Sequence, residues 1–192
     1  MRLSTSTTYR RFCGRFCSCQ IYGLFDLFAG YNGRVLVVKS CLLTMLSMLI
    51  GALWLTCLPQ GATNSVPEFC KCTNHCLSKE IPENADVFID DVGAKGPFSD
   101  YNDEEIAPGI WRFIYEFATT VDRILVHMIH AGITTSGKKL VLAVPHLHIV
   151  STEVSKEGWH LSHGIVLKIE NWSDLELASD VWSFLRTVGV GL

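Results

Sequence analysis

Residues 85–96 read ADVFIDDVGAKG, and this stretch decides the fold. DVF at 86–88 and VGA at 92–94 are short β-favouring runs with adjacent aspartates at their connection, the signature of a tight hairpin carrying acids at its tip. Alone, Asp90 and Asp91 are what any solvated turn could hold. Their neighbours in the chain give them another meaning.

Upstream, IYGLFDLFA at 21–29 is apolar and aromatic with one acid in its middle, which suits a short buried strand ending near Asp26. An aspartate there is costly to bury without a partner or a metal. Gly30, Asn32 and Gly33 turn the chain directly afterwards. LPQGATNS at 58–65 is a loop that enters a helix running to about Ser78, with Thr63, Asn64 or Ser65 as its cap, and Pro82 stops that stretch. Downstream of the hairpin, an acidic segment from Ser99 to Glu105 precedes Pro108 and Gly109. Ile110, Phe113, Ile114, Phe117, Val121, Ile124, Leu125 and Met128 then recur at helical spacing up to Ala131-Gly132, with His127 and His130 in the last turn. After Lys138-Lys139 come a β-run LVLAVPHLHIV, a second run around STEV, a turn at Glu157-Gly158, and a last helix through Val181, Trp182 and Leu185 capped by Ser173 or Asp174.

Composition bounds the alternatives. The chain has 192 residues, 48% of them hydrophobic and 18% charged, which argues for a packed core over disorder. The apolar surplus is concentrated in SCLLTMLSMLIGALWLTCL at 40–58, uncharged for about the length that spans a bilayer, so a small membrane-anchored protein is one reading; Thr44, Ser47, Gly51 and Thr56 inside it and Pro59 and Gly61 after it oppose a span. Residues 1–20 are expected to form a poorly ordered segment; Arg2, Arg10, Arg11 and Arg15 without an acid before Asp26 also suit a targeting peptide. A net charge of −3 supplies no global basic field, although a local basic groove is compatible with it. Eight cysteines without a secretory signal at the start of the chain speak against export and for a cytoplasmic or nuclear protein. The CKCTNHC cluster of Cys70, Cys72, His75 and Cys76 is too tightly spaced for a zinc finger.

Asp26, Asp90 and Asp91 stand at strand ends or turns with a Gly-rich polar loop between them, so three carboxylates could converge. Nucleotidyl transfer needs such a cluster, because two divalent cations about 3.5–4 Å apart are held by carboxylates and stabilise the attacking and leaving oxygens. Magnesium takes hard oxygen ligands and keeps waters and substrate phosphates in its shell, so few protein carboxylates suffice.

These stretches also carry a family resemblance. GLFDLFAGYNGR, LPQGATNSVPEF and VFIDDVGAKGP resemble the first three polymerase motifs of gypsy-class LTR retrotransposon reverse transcriptases, in order and at about the family's spacing. HAGITTSGKK resembles the fourth, HIVSTEVSKEG the primer grip, and IENWSDLELASDVWSFLRTVGV the entry to the thumb or connection. The resemblance implies an α+β palm, an antiparallel sheet backed by helices around 65–78 and 110–131, within a partial reverse transcriptase domain over 21–192 whose fingers are largely missing. It implies Asp26 and Asp90 as ligands of two magnesium ions, or manganese in their place, with Asp91 as the supporting carboxylate. Tyr31 would be the gate against a ribose 2′-hydroxyl, Gln60 and Gly61 would lie against the incoming nucleotide and template base, and Lys139, or Lys138 if the register slips, would give a proton to pyrophosphate. The implied partners are an RNA or DNA template with its primer, deoxynucleoside triphosphates and other segments of a Pol polyprotein, with a membrane disfavoured. The apolar stretch at 40–58 falls where the family has a more polar segment, which makes it a corrupted β region, and Asn32-Gly33 replaces the family's Asp-Gln. With the fingers and a complete thumb lacking, an inactive remnant that binds nucleic acid or protein is the alternative.

Overall fold

A computed structural model describes residues 12–28, 30–149 and 151–189. In chain order its strands and longer helices are β1 (Tyr22–Phe28), β2 (Met45–Met48), β3 (Gly51–Trp54), α1 (Ser65–Cys76), β4 (Ala85–Phe88), β5 (Asp91–Lys95), β6 (Glu105–Ala107), β7 (Ile110–Trp111), α2 (Arg112–His130), β8 (Thr134–Thr135), β9 (Val141–Val144), β10 (Leu147–Ile149), β11 (Thr152–Ser155), β12 (Gly158–Leu161), α3 (His163–Glu170) and α4 (Ala178–Val188). The protein is α+β with antiparallel sheets. Its chain falls into two compact units, one made of residues 24–94 and 119–141, the other of the described residues among 1–23, 95–118 and 142–192.

The first unit is built on strands in the order β4-β5-β1-β8. Along β1, Phe25 and Leu27 are buried while Leu24, Asp26 and Phe28 are more open, the period-two alternation that sends Asp26 to the face opposite the core. The central strand extends two residues past Asp26, further than the sequence suggested, because Leu27 and Phe28 pair with Thr135 and Thr134 of β8. Ser65, Phe69 and Thr73 bury one face of α1 at i, i+4, i+8 spacing, and Thr120, Ile124 and Met128 do the same on the second half of α2. Asn64 stands at the N-cap of α1 without a side-chain capping bond, so the expected cap fixes only the position of the boundary.

One buried charge ties this unit together. The Glu80 side chain, 5% exposed, accepts from Arg123 Nε at 2.9 Å and Nη2 at 3.1 Å, and from Asn84 Nδ2 at 2.9 Å, while His127 Nε2 lies 3.9 Å away. A carboxylate this buried is tolerable only when its lone pairs are occupied, and a planar guanidinium occupies two at once. His127, in the last turn of α2, thus stands at the edge of this cluster.

The stretch at 40–58 is neither a membrane helix nor one strand. A helical turn at Val38–Cys41 and a 3-10 turn at Leu42–Thr44 lead into the antiparallel β2–β3 hairpin, with Met45 opposite Trp54. Thr44 sets the bend: its Oγ1 donates to Cys41 O at 2.8 Å and accepts from Leu55 N–H at 3.0 Å, while Gly51 supplies φ +121° at the return. No helix of the described residues is long and apolar enough to cross a membrane, so the membrane-anchored alternative has no structural support.

In the second unit, residues 12–16 are helical, and Phe12, Cys13 and Phe16 are buried with Cys19, Ile21 and Tyr22. The part of the 1–20 segment that is described is therefore packed, because its aromatic residues lie one helical turn apart and share a face; Arg2, Arg10 and Arg11 lie outside the described residues. The run LVLAVPHLHIV breaks at Pro145-His146 into β9 and β10, and a strand that the sequence did not suggest, β12, completes a β10-β11-β12 meander. A second unanticipated element is α3. The last helix begins later than Ser173 or Asp174 would place it: Asp180 accepts from the Leu177 N–H at 3.0 Å and caps the helix from inside.

The hydrogen bonds from Arg123 hold the Glu80 carboxyl below its ordinary value near 4.5. A carboxyl with a lowered folded value adds stability above its unfolded value and loses it as pH falls through the folded one. Glu80→Gln is expected to cost about 1–3 kcal/mol at pH 7, below the range for a fully buried pair because Arg123 is partly solvated. Urea unfolding of both proteins at pH 7 and pH 3 checks this; a loss of equal size at the two pH values would remove the ion pair from the account.

Candidate functional site

The three aspartates lie within the first unit, and backbone pairing brings them together. Phe88 pairs with Asp91, so Ile89 and Asp90 alone make the β4–β5 connection, with Ile89 at φ +59°, an uncommon conformation for a β-branched residue. The Leu27 N–H donates to Asp90 O at 2.9 Å, which sets the hairpin tip beside the residue that follows Asp26. On the other side of β1, the Ser136 N–H donates to Asp26 O at 2.9 Å, and the chain then turns so that the Lys139 N–H donates to Ser136 O at 3.1 Å. That turn brings Lys139 back over β1, where its Nζ donates to Asp26 Oδ2 at 2.9 Å. The structure thus places Lys139, and not Lys138, on the acid.

Electrostatics record the crowding. Burial first, then the charges of Asp90 and Asp26, push the Asp91 carboxyl up to about 6 against the opposing pull of Lys139. The hydrogen bond to Asp26 and its charge raise the Lys139 ammonium above its ordinary value. Carboxylates of this kind are the hard oxygen donors that magnesium prefers. They are coupled without being closed around a point: among the described residues no group of three or more His, Cys, Asp or Glu side chains stands close enough to hold an ion. The two facts agree, since Coulomb interaction reaches further than coordination. The donor set fits a hard divalent cation in kind, with one oxygen of Asp26 already engaged by Lys139.

Tyr31 joins the group through a support that the sequence did not reveal. Its ring stacks on Phe69 of α1 with centroids 4.6 Å apart and planes 23° from parallel. Burial, then Cys70 and Asp90 nearby, raise its hydroxyl above the ordinary value, so the phenol stands within the field of the hairpin tip. Phe69 leaves no room for a side chain at position 30: a Cβ there would sit 2.5 Å from its Cζ. The signal for this support is the buried stripe of α1, but nothing in helical spacing says which distant residue it touches. Gln60 and Gly61 occupy an exposed turn before α1, with Gly61 at φ +90°, and no hydrogen bond or ion pair among the described residues joins them to the acids.

Two outcomes follow. In the presence of a chelator, ionised Asp91 opposes folding: the native state binds more protons than the unfolded chain between its ordinary value of 3.8 and about 6, so stability falls as pH rises through that window. Asp91→Asn is expected to stabilise the chain by about 1–2 kcal/mol at pH 7.5 and by nothing at pH 3.5, read from thermal melts. Gly30→Ala is expected to cost about 1–3 kcal/mol by overpacking against the buried Phe69 ring, with a changed near-ultraviolet dichroism from the Tyr31 stack; an unaltered melt would contradict the close approach.

No protein-family model and no curated protein matches the sequence. Solved structures do. The foamy viral protease-reverse transcriptase in complex with an RNA/DNA hybrid superposes with a TM-score of 0.74 at 20% identity, over 97% of this chain and 22% of that one. The dRH form of that protein in complex with double-stranded DNA gives 0.72 at 20% identity, over 93% and 29%. A CSH mutant of the prototype foamy virus protease-reverse transcriptase gives 0.60 at 22%, over 84% and 19%. The chain spans between about a fifth and under a third of the length of these structures. Its fold is reverse-transcriptase-like.

Proposed function

We propose that this chain is the palm portion, with the start of a thumb or connection, of a reverse transcriptase of the gypsy-class LTR retrotransposon kind, and that its chemistry is RNA-directed DNA synthesis. The observation that carries the proposal is the placement of Asp26 beside the Asp90-Asp91 hairpin tip by the Leu27 to Asp90 backbone bond, within a reverse-transcriptase-like fold. Asp26 and Asp90 would hold two magnesium ions, with Asp91 as the supporting carboxylate. When bound, the ions would activate the primer hydroxyl and stabilise charge on the leaving pyrophosphate. Tyr31, held on Phe69, would exclude a ribose 2′-hydroxyl, and Gln60 and Gly61 would meet the incoming nucleotide and template base. Lys139 is the candidate proton donor to pyrophosphate, for which its ammonium must stay protonated until the leaving group forms. Template with primer, deoxynucleoside triphosphates and the remaining Pol segments are the corresponding partners.

A second reading is a catalytically inactive remnant that retains nucleic-acid or protein binding. It is favoured by Asn32-Gly33, which follows Tyr31 where the family that the chain resembles has Asp-Gln. Primer extension on an RNA template with magnesium separates the two. The first reading expects extension by the purified chain that falls by on the order of a hundredfold or more in the Asp90→Asn, Asp91→Asn variant, the scale of a few kcal/mol of lost charge stabilisation. No extension by a folded wild-type chain decides for the remnant.

A further inference from the structure

We propose that Lys139 is a displaceable internal counter-cation, which occupies Asp26 until a divalent ion takes the carboxylate, so that ion loading and release of the lysine are a single event. The inference rests on the polymerase reading above and concerns what competes with an ion for Asp26.

Three observations carry it. Lys139 Nζ lies 2.9 Å from Asp26 Oδ2, a direct charge-assisted hydrogen bond to one of the two oxygens that a metal could take. The two partners are unequally fixed: the Asp26 side chain is 19% exposed and belongs to the central strand, whereas the lysine side chain is 69% exposed on a flexible stem. The carboxylate is therefore the stationary element and the ammonium the mobile one. The backbone delivers Lys139 whether or not an ion is present, because the Ser136 N–H to Asp26 O and Lys139 N–H to Ser136 O bonds use no side-chain charge. The lysine thus competes as a tethered ligand, with a local concentration set by the turn.

An ammonium and a dication on the same carboxylate repel each other, so each weakens the hold of the other on Asp26. With its Oδ2 bonded to the lysine, Asp26 does not form an ion-holding group with Asp90 and Asp91 among the described residues. Once displaced, the ammonium stays tethered beside the site by the same turn, and only then is it free for another acceptor. Lys138, the preceding residue, is exposed and makes no contact of this kind among the described residues.

The test is Mn²⁺ binding to the purified chain, read by electron paramagnetic resonance of the free ion, with Lys139→Met, Lys138→Met and an Asp26→Asn, Asp90→Asn, Asp91→Asn variant alongside. If the lysine covers Asp26 for most of the time, its removal is expected to tighten binding by about three- to tenfold, the factor by which the competent population rises. Lys138→Met should stay within about twofold, since it alters the surrounding charge without opening Asp26. Thermal melts of each variant show that it is folded. Carboxylate-dependent binding that is unchanged or weaker in Lys139→Met, or equally tightened in Lys138→Met, overturns the counter-cation while leaving the polymerase reading in place. Binding that is absent from the folded wild-type chain, or that persists in the triple aspartate variant, overturns both.

Discussion

A residue in the middle of a sheet has neighbours on both sides, and the position of Asp26 on β1 is the constraint on which the candidate site depends. The hairpin tip meets β1 through the Leu27 N–H, and the Ser136–Lys139 turn meets it through the Asp26 carbonyl. Both are backbone bonds, indifferent to side-chain chemistry, so the three acids and the lysine are assembled by the ladder and would remain in place if any one of them were replaced. Alternation along β1 then does the rest. Phe25 and Leu27 go to the core, and Asp26 is left on the open face where charge can be solvated or paired.

The rest of the first unit supports that strand. Phe69 fills the space left by the missing side chain at Gly30 and presents a flat surface to Tyr31, which couples the position of α1 to the turn that follows the central strand. Glu80 and Arg123 anchor the segment before β4 to α2, and so steady the entry to the acid-bearing hairpin. Charge has opposite consequences at the two places. At Glu80 three hydrogen bonds, two of them from Arg123, hold the carboxylate and ionisation favours the fold, whereas at Asp91 like charges and burial accumulate and ionisation opposes it. An accumulation of negative charge that costs stability is characteristic of sites shaped for a ligand, and it supports the proposed use of these carboxylates.

Much of this was legible in the residues. The FIDDV hairpin, the helix after LPQGATNS and the long amphipathic helix ending near Gly132 each follow from local rules of turn chemistry and periodicity, and each is present within a few residues of its expected bounds. Less legible were the elements whose signals were mixed. The stretch at 40–58 combines apolar content with Thr44 and Gly51; its length allows a span while its polar residues oppose one, and one hydroxyl bonding Cys41 and Leu55 and one positive φ make a hairpin of it. That hairpin leaves Leu49, Ile50 and Trp54 exposed, which hydropathy alone would have buried. Strand β12 and helix α3 were missed because their residues carry no clean period, and their pairing partners supply the order.

By itself, then, the sequence determined the residue types available for chemistry and the local elements that carry them, because helices, hairpins and turns answer to interactions between residues a few positions apart. It placed an acid on a strand, two acids on a tight turn and two lysines in a loop. Only the tertiary structure decided which lysine faces Asp26, that Phe69 carries Tyr31, that His127 joins Glu80, and that the three carboxylates are coupled without closing on a point. Each of those depends on strand order and register across separations of tens to more than a hundred residues, and no short-range pattern encodes them.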